Sequence, residues 1–321
     1  MAESMNGLVE AVRGDLVPAS GHGPTCSGGT ERFELFHSAK SICAQKVRAV
    51  FAYHQIPYLG HELNPLVGDN YLPNYVRLRI VGCASSGAAF VTGYDGNTSM
   101  TTAGCDPCVV PTLVDWSSDE VIVDSTRICL HVDKQVDEAQ KLRPTSLSVD
   151  IDRELAEVDN FPNIQMLMSK SPDGRDTAAT RLGINGVGFS LSRIEFCKQY
   201  MATVPDDQAL QSAYAAKIAK ETQGAAEVFG AEAVQRAYDH SRAACKGLEN
   251  KLSERGTPWL FGERVTMADL FWGIELLRLK NLGTAAFWDR DELPHVARYV
   301  RAAEELPAIR SALLEWEGAL F

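Results

Sequence analysis

The sequence lacks a long hydrophobic run and an apolar leader of the kind that secreted proteins carry. Its mostly apolar stretches, such as residues 270–279, are interrupted by charges well before the roughly 20 residues that a membrane-spanning helix needs. Residues 1–17 carry Glu3, Glu10 and Asp15 and contain no apolar signal segment. We therefore expect a cytoplasmic protein that has no membrane partner.

Positive charge is also scarce. Lysine and arginine number 31 against 42 aspartates and glutamates, so the formal net charge at pH 7 is −11. An acidic chain repels a phosphate backbone, and nucleic-acid binding is therefore not expected. Hydrophobic residues make up 45% of the 321 residues, which is typical of a folded globular chain long enough for two domains.

A complete set of metal ligands is missing as well. Cys105 and Cys108 form a C-x-x-C motif, but the sequence contains neither a second such pair nor a closely spaced histidine pair. A redox dithiol normally opens a helix, whereas this pair precedes a predicted strand, so we interpret the spacing as coincidental and expect no metal. Because the cytosol is reducing and a chain of this length does not need disulfide bonds, all eight cysteines are expected to be thiols.

Short apolar segments and helix breakers predict a thioredoxin-like α/β domain at residues 31–136. Residues 1–30, which end in a glycine-rich stretch, are predicted to be a flexible leader, with structure starting at Glu31. The predicted order is a strand at 33–36, a helix at 46–54, a hairpin of 109–115 with 121–124, and a helix at 125–132. Residues 81–108, rich in glycine, serine, threonine and alanine, are predicted to be a long inserted loop without a regular element.

Helical patterns dominate after residue 136 and predict an all-α domain at residues 137–321. Thr266 and Asp269 have the spacing of a capping box, in which each side chain accepts a hydrogen bond from the other residue's backbone amide. The run that follows, residues 270–279, is apolar nearly all round, which predicts a buried central helix.

Cys43 is the sharpest candidate for chemistry because it lies where a helix is predicted to begin. Amides at a helix N-terminus, together with Lys40 and Lys46, favour a thiolate, so we expect Cys43 to react at lower pH than a free cysteine. Ser41 is placed to cap the helix and to donate its hydroxyl to a sulfur anion. His37 is near enough in sequence to serve as a base. A buried structural cysteine with a capping serine is an equally good interpretation of the spacing alone.

Two further pairs are candidates for binding a peptide-like ligand. Asp124 and Ser125 end a strand and open a helix, where the carboxylate suits an ammonium group and the helix amides suit a carboxylate; a simple N-cap pair is the alternative. Val110 precedes Pro111 at a strand start. If that peptide bond is cis, the Val110 backbone can pair with an added peptide strand; an ordinary edge-strand proline is the alternative.

In this order the parts resemble the glutathione S-transferase superfamily over about residues 31–321. Within it the chain is similar to the glutathione-dependent reductive dehalogenases of chlorinated hydroquinones. The matching stretches are RFELFH, SICAQKVR, NYLPNYVRLR, DPCVVPTLVD, VIVDSTRICL and PWLFGERVTMADLFW. The family often has glutamate where this chain has Asp124.

The resemblance implies a fold and a set of roles. A thioredoxin-like domain would bind glutathione, used as a co-substrate without a metal. A helical domain would bind a small chlorinated aromatic, either a chlorinated hydroquinone or its ring-carboxylated relative, a chlorogentisate. Ser41 and Cys43 would be catalytic; Val110, Pro111, Asp124 and Ser125 would bind glutathione. The reaction would release chloride and form glutathione disulfide through a mixed disulfide of Cys43 with glutathione, in a protein that is a homodimer.

Two other classes of function remain open at this point. One is a different thiol transfer on the same fold, as in glutathionyl-hydroquinone reductases, thiol transferases and β-etherases. The other is a glutathione-binding module without catalysis. Retention on immobilised glutathione with no turnover of any aryl or disulfide substrate would indicate the binding module.

Overall fold

A four-stranded mixed sheet forms the N-terminal half of the protein. The computed structural model describes residues 4–16, 31–97, 104–289 and 292–320. The strands are β1 (Phe33–His37), β2 (Leu59–Glu62), β3 (Thr112–Asp115) and β4 (Glu120–Val123), arranged in the order β2-β1-β3-β4. β1 runs parallel to β2 and antiparallel to β3, and β3 runs antiparallel to β4.

Helices cover both faces of this sheet. Alternate strand residues point to opposite sides, so Leu35 and Leu113 pack with helices α2 (Ile42–His54) and α4 (Ser125–Asp133). Their neighbours Phe36 and Val114 pack on the other side with helices α1 and α3, which span Met5–Asp15 and Pro73–Ser86. The strands and helices of the predicted α/β domain are confirmed.

The C-terminal half is helical, as predicted. Its helices are α5 (Ser148–Asp159), α6 (Asn163–Met168), α7 (Ala178–Arg181), α8 (Gly186–Thr203), α9 (Gln208–Glu227), α10 (Ala231–Arg255), α11 (Met267–Asn281), α12 (Pro294–Glu305) and α13 (Pro307–Ile309). Helix α11 is the buried central helix, and its capping box is present, with the Thr266 amide donating to Asp269 Oδ2 at 2.8 Å. Over the described ranges, each helix is too short or too polar to cross a membrane.

The prediction that structure starts at Glu31, after a flexible leader, was wrong for helix α1. Ser4 caps this helix by accepting a hydrogen bond from the Gly7 amide at 3.2 Å. Leu8 and Val12 lie one turn apart and are buried in the hydrophobic cluster that also contains Leu78 of α3. Arg13 forms an ion pair with Glu34 of β1 at 2.6 Å. The rest of the predicted leader that is not in residues 4–16 lies outside the described residues.

The predicted loop at 81–108 was wrong at its start, because helix α3 continues to Ser86. Its small residues serve helix–sheet packing: a Cβ on Gly82 would lie 2.6 Å from Val123 Cγ1 of β4. Gly87 then ends the helix with φ +69°. The small residues at the end of α3 gave this segment the composition of a loop. They are present because the helix packs closely against the sheet.

The prediction that every cysteine is a thiol was also wrong. Cys83 of α3 and Cys105 form a disulfide bond that closes a segment of 22 residues. Residues Phe90 and Cys105 also form an isolated backbone bridge. The two ends of the inserted segment are thus tied together beside Val123 of β4.

Candidate active site

Cys43 is the second residue of helix α2, close to its N-terminal amides. Ser41 is the extended N-cap residue, and its Oγ accepts a hydrogen bond from the Ala44 amide at 3.3 Å. Cys43 is half-buried. Because the Ser41 hydroxyl accepts this bond, its own proton is available to donate to another group.

Buried cations accompany Cys43. Burial lowers the pKa of Lys46, but Coulombic attraction to Asp159, Cys43 and Glu275 outweighs burial, so the pKa of Lys46 is raised. The Coulombic attraction is mutual and therefore favours a negative charge on Cys43. Arg278 of α11 also interacts with Cys43 from the helical half. Burial lowers the pKa of Arg278, and Coulombic attraction to Glu275 and Cys43 partly offsets this effect.

The candidate binding pairs lie at the start of β3 and of α4. The Val110–Pro111 peptide bond is cis, as the added-strand interpretation requires. Asp124 caps α4 by accepting from the Arg127 amide at 3.1 Å and has φ +76°. Burial and then Coulombic repulsion from Asp159 raise the pKa of Asp124, and a ligand cation beside Asp124 would oppose this shift by favouring the carboxylate.

All six candidate site residues line one cavity of about 570 Å³ between the two halves of the chain; they are Ser41, Cys43, Val110, Pro111, Asp124 and Ser125. Local sequence signals placed each of them separately, and the fold brings them together. The capping alternative is also realised for Ser41 and Asp124, since both cap a helix while lining the cavity.

His37 does not join this group. His37 is buried, and its Nδ1 lies 3.3 Å from Nη1 of Arg48. Its ring packs edge-on against Trp316 and does not line the cavity. Burial, aided by the charge of Arg48, holds the pKa of His37 well below its ordinary value. His37 is therefore a neutral core residue.

A charged wall of the same cavity was not predicted from the sequence. This wall is formed by Arg79 of α3, Asp106 before β3, Arg193 of α8, and Lys217, Lys220 and Glu221 of α9. The spacing of the three α9 residues, i, i+3 and i+4, is the available signal, since it places them on one helix face. Their partner Asp106 is 111 residues from Lys217 in sequence, which no local pattern reveals.

The C-x-x-C residues do not act as a pair. Cys105 is bonded to Cys83, whereas Cys108 is a buried thiol whose pKa is raised by burial and by its hydrogen-bonded neighbour Cys197. Among the residues whose structure is described, no group of three or more histidine, cysteine or acidic side chains is arranged to hold a metal ion.

The fold is shared with solved glutathione transferase-like proteins. The β-etherase LigF from Sphingobium sp. strain SYK-6 superposes with a TM-score of 0.57 at 12% identity, covering 88% of this chain and 98% of LigF. Ure2p in complex with glutathione superposes with a TM-score of 0.54 at 17% identity, covering 89% of this chain and 95% of that one. At these identities the likeness shows the fold alone.

Sequence comparison is more specific. Residues 231–302 match the family model of the glutathione S-transferase C-terminal domain. The 2,5-dichlorohydroquinone reductive dechlorinases of two Sphingobium indicum strains, B90A and UT26, are each 32% identical over 290 residues, covering 89% of this chain and 84% of theirs. The chain therefore belongs to the glutathione S-transferase family, in the branch that contains the 2,5-dichlorohydroquinone reductive dechlorinases.

Proposed function

We propose that this protein is a glutathione-dependent reductive dehalogenase of chlorinated hydroquinone-type aromatics. The observation that carries the proposal is the position of Cys43, at the N-terminus of α2 and inside the cavity that the glutathione-binding candidates line. A helix N-terminus and buried cations are the surroundings in which cysteine reacts as a thiolate. The named activity of the dechlorinase relatives supports the same chemistry.

Glutathione is proposed to bind along the N-terminal side of the cavity. The Val110 backbone pairs with the backbone of the tripeptide, in the manner of an added strand. Asp124 binds the α-ammonium group, and Ser125 with the first amides of α4 binds the neighbouring carboxylate. Ser41 donates its hydroxyl to the glutathione sulfur, which stabilises the thiolate.

The first chemical step displaces chloride. The hydroquinone tautomerises to an electrophilic enone, the glutathione thiolate forms a carbon–sulfur bond at the chlorinated carbon, and chloride leaves with the carbon–chlorine electron pair. The product is a glutathionyl-hydroquinone thioether. This step uses one glutathione and releases one proton.

The second step removes glutathione from the ring. The Cys43 thiolate attacks the thioether sulfur, a sulfur–sulfur bond forms, and the ring carbon leaves with the carbon–sulfur pair and takes a proton. A second glutathione then releases the first by thiol–disulfide exchange and restores Cys43. Two glutathiones are oxidised to the disulfide for each carbon–chlorine bond reduced to carbon–hydrogen.

Chloride release from 2,5-dichlorohydroquinone with glutathione tests the proposal. Wild type is expected to release chloride and free chlorohydroquinone. Cys43→Ser is expected to release one chloride for each glutathionyl conjugate that accumulates. Cys108→Ser is the matched control, because Cys108 lines the same cavity and has no proposed role. Free dechlorinated product from Cys43→Ser at the wild-type rate would contradict the role of Cys43.

Chloride release, compared with turnover of other substrates, separates the remaining alternatives. Cleavage of aryl ether or glutathionyl substrates without chloride release would indicate a β-etherase or another thiol transfer. Glutathione binding without any turnover would indicate a binding module. We also propose a homodimer, for which sedimentation equilibrium gives the molar mass directly.

A further inference from the structure

The charged wall of the cavity consists of buried side chains from four parts of the chain. Arg79, Asp106, Lys217, Lys220, Glu221 and Arg193 have side chains that are at most 12% exposed, and all six line the cavity. Charged side chains are rarely buried without full compensation, because removing a charge from water costs several kcal/mol. The balance of charge in this wall is therefore informative.

Positive charge is in excess in the wall. Four cations face two carboxylates, and 4 − 2 leaves two positive charges, in a protein whose net charge is −11. One oxygen, Asp106 Oδ2, serves both Lys217 Nζ and Lys220 Nζ, each at 2.8 Å. Lys217 has a second carboxylate partner in Glu221, at 2.8 Å. Lys217 therefore has two carboxylate partners, whereas Lys220 shares the Asp106 carboxylate with Lys217.

The two arginines of the wall are also incompletely neutralised. The Arg79 guanidinium donates to the carbonyl oxygens of Asp106 and Pro111 and to Thr112 Oγ1, which are neutral acceptors. The Arg193 guanidinium stacks on the Phe189 ring and donates to the Phe189 carbonyl oxygen at 3.3 Å, both neutral partners. Its nearest carboxylate contact, with Glu221, is 4.0 Å long and beyond hydrogen-bond distance. An anion entering the cavity would meet donors whose charge the protein leaves uncompensated.

The pKa of Lys220 is lowered in these surroundings. Burial lowers its pKa, and the charge of Lys217 lowers it further, although Asp106 opposes both. A second negative charge beside Lys220 would favour its ammonium form. Apolar residues adjoin these cations in the cavity: Lys220 Nζ lies 4.5 Å from the centre of the Tyr94 ring, and Ile164 and Leu167 line the same space.

We propose that the charged wall selects substrates whose aromatic ring carries a carboxylate, with Lys220 and Arg193 binding that group. The inference rests on the proposed function, which it narrows from hydroquinones in general to ring-carboxylated hydroquinones. Arg193 supplies a planar fork that matches a carboxylate, and Lys220 supplies a point charge. Lys217 and Glu221 then hold Asp106 and the wall in place.

Binding of two chlorine-free rings tests the proposal without requiring turnover. Calorimetry measures the affinity of 2,5-dihydroxybenzoate and of hydroquinone, which differ by the carboxylate, in the presence of saturating S-methylglutathione. Wild type is expected to bind 2,5-dihydroxybenzoate about tenfold or more tightly than hydroquinone. Lys220→Met is expected to reduce this preference to about threefold or less, while the affinity for hydroquinone stays within about twofold.

The matched control is Lys198→Met, which removes the same charge from an exposed position of α8 and is expected to leave the preference unchanged. Arg193→Met gives the same comparison if Lys220→Met does not fold. Equal binding of the two rings by wild type would overturn the proposal, as would an unchanged preference in both cavity variants.

A third result would also overturn it. The glycine carboxylate of glutathione is chemically the same group, and loss of S-methylglutathione affinity in Lys220→Met with no change in ring preference would assign the wall to the tripeptide. The outcome is independent of the proposed reaction. A carboxylate preference without chloride release from a chlorinated 2,5-dihydroxybenzoate would contradict the dehalogenase function alone, and chloride release without the preference would contradict the selectivity alone.

Discussion

The ion pair between Lys46 and Asp159, 2.9 Å from Nζ to Oδ1, joins the helix that carries Cys43 to the first long helix of the helical half. The Lys46 side chain is 2% exposed, and Asp159 also accepts a hydrogen bond from the Thr126 hydroxyl. The pair therefore fixes α2 against both α4 and α5 and holds a positive charge near Cys43.

Removing that charge should make Cys43 less reactive as a thiolate. In Lys46→Met, the midpoint of the pH profile for alkylation by iodoacetamide should move to higher pH, because the Coulombic attraction between Lys46 and Cys43 is lost. Stopped alkylation followed by peptide mass mapping measures this site by site. Lys134→Met, an exposed change on the same half of the protein, is the control. An unshifted midpoint in Lys46→Met would mean that Lys46 does not act on the sulfur.

Glu275 should make the protein less stable as pH rises. This carboxyl group lies on α11, is fully buried, and accepts a hydrogen bond from Asn163 Nδ2 at 3.0 Å. Burial raises its pKa to about 7, with Asp159 raising it and Lys46, Asn163 and Arg278 lowering it. The folded protein therefore holds a proton that the unfolded chain loses near pH 4.5.

The sign follows from that difference in bound protons. The stabilisation from neutral Glu275 is fully present below about pH 4.5 and is lost as pH rises through about 7. Relative to wild type, Glu275→Gln should gain about 3 kcal/mol in free energy of unfolding across this interval. Urea unfolding of both proteins at each pH measures the gain, and the exposed change Glu305→Gln should show none. A difference between Glu275→Gln and wild type that is constant with pH would contradict the shifted titration.

The disulfide between Cys83 and Cys105 should stabilise the protein by constraining the unfolded chain. Because it closes a segment of 22 residues, the double variant Cys83→Ser/Cys105→Ser should lose about 3 kcal/mol of unfolding free energy. The double change avoids leaving an unpaired thiol beside Cys108. Dithiothreitol should lower wild type to the level of the variant and leave the variant unchanged. Absence of the linked Cys83–Cys105 peptide from a non-reducing digest would refute the bond.

Local signals predicted most of the α/β half because they act within a few residues. The alternation of Leu35 and Phe36 and the cap at Ser41 each depend on immediate neighbours. Helix α1 escaped prediction because its apolar face is short and the surface that it covers is distant in sequence. Gly82 led to the opposite error, in which a helix was predicted to be a loop, because a residue typical of loops here permits close packing.

The candidate site also contains residues that local sequence predicts and residues that only the tertiary structure reveals. Asp124 and Ser125 could be proposed from a strand followed by a helix, and the family resemblance supplied their role. The charged wall could not be proposed, because Asp106 meets Lys217 and Lys220 only after the two halves of the chain have folded together. Sequence therefore indicated where a thiol and a tripeptide could lie, and the tertiary structure added the charged wall, for which we propose a role in binding the second substrate.

The mass of Cys43 during turnover tests the central claim most directly. Wild type is mixed with 2,5-dichlorohydroquinone and limiting glutathione, quenched with acid within the first turnovers, digested without reductant and analysed by mass spectrometry. The account predicts that the Cys43 peptide increases by the mass of glutathione less two hydrogens, that the increase disappears on adding excess glutathione, and that the peptide containing Cys108 is unchanged. Chloride release with Cys43 unmodified at every quench time would contradict it.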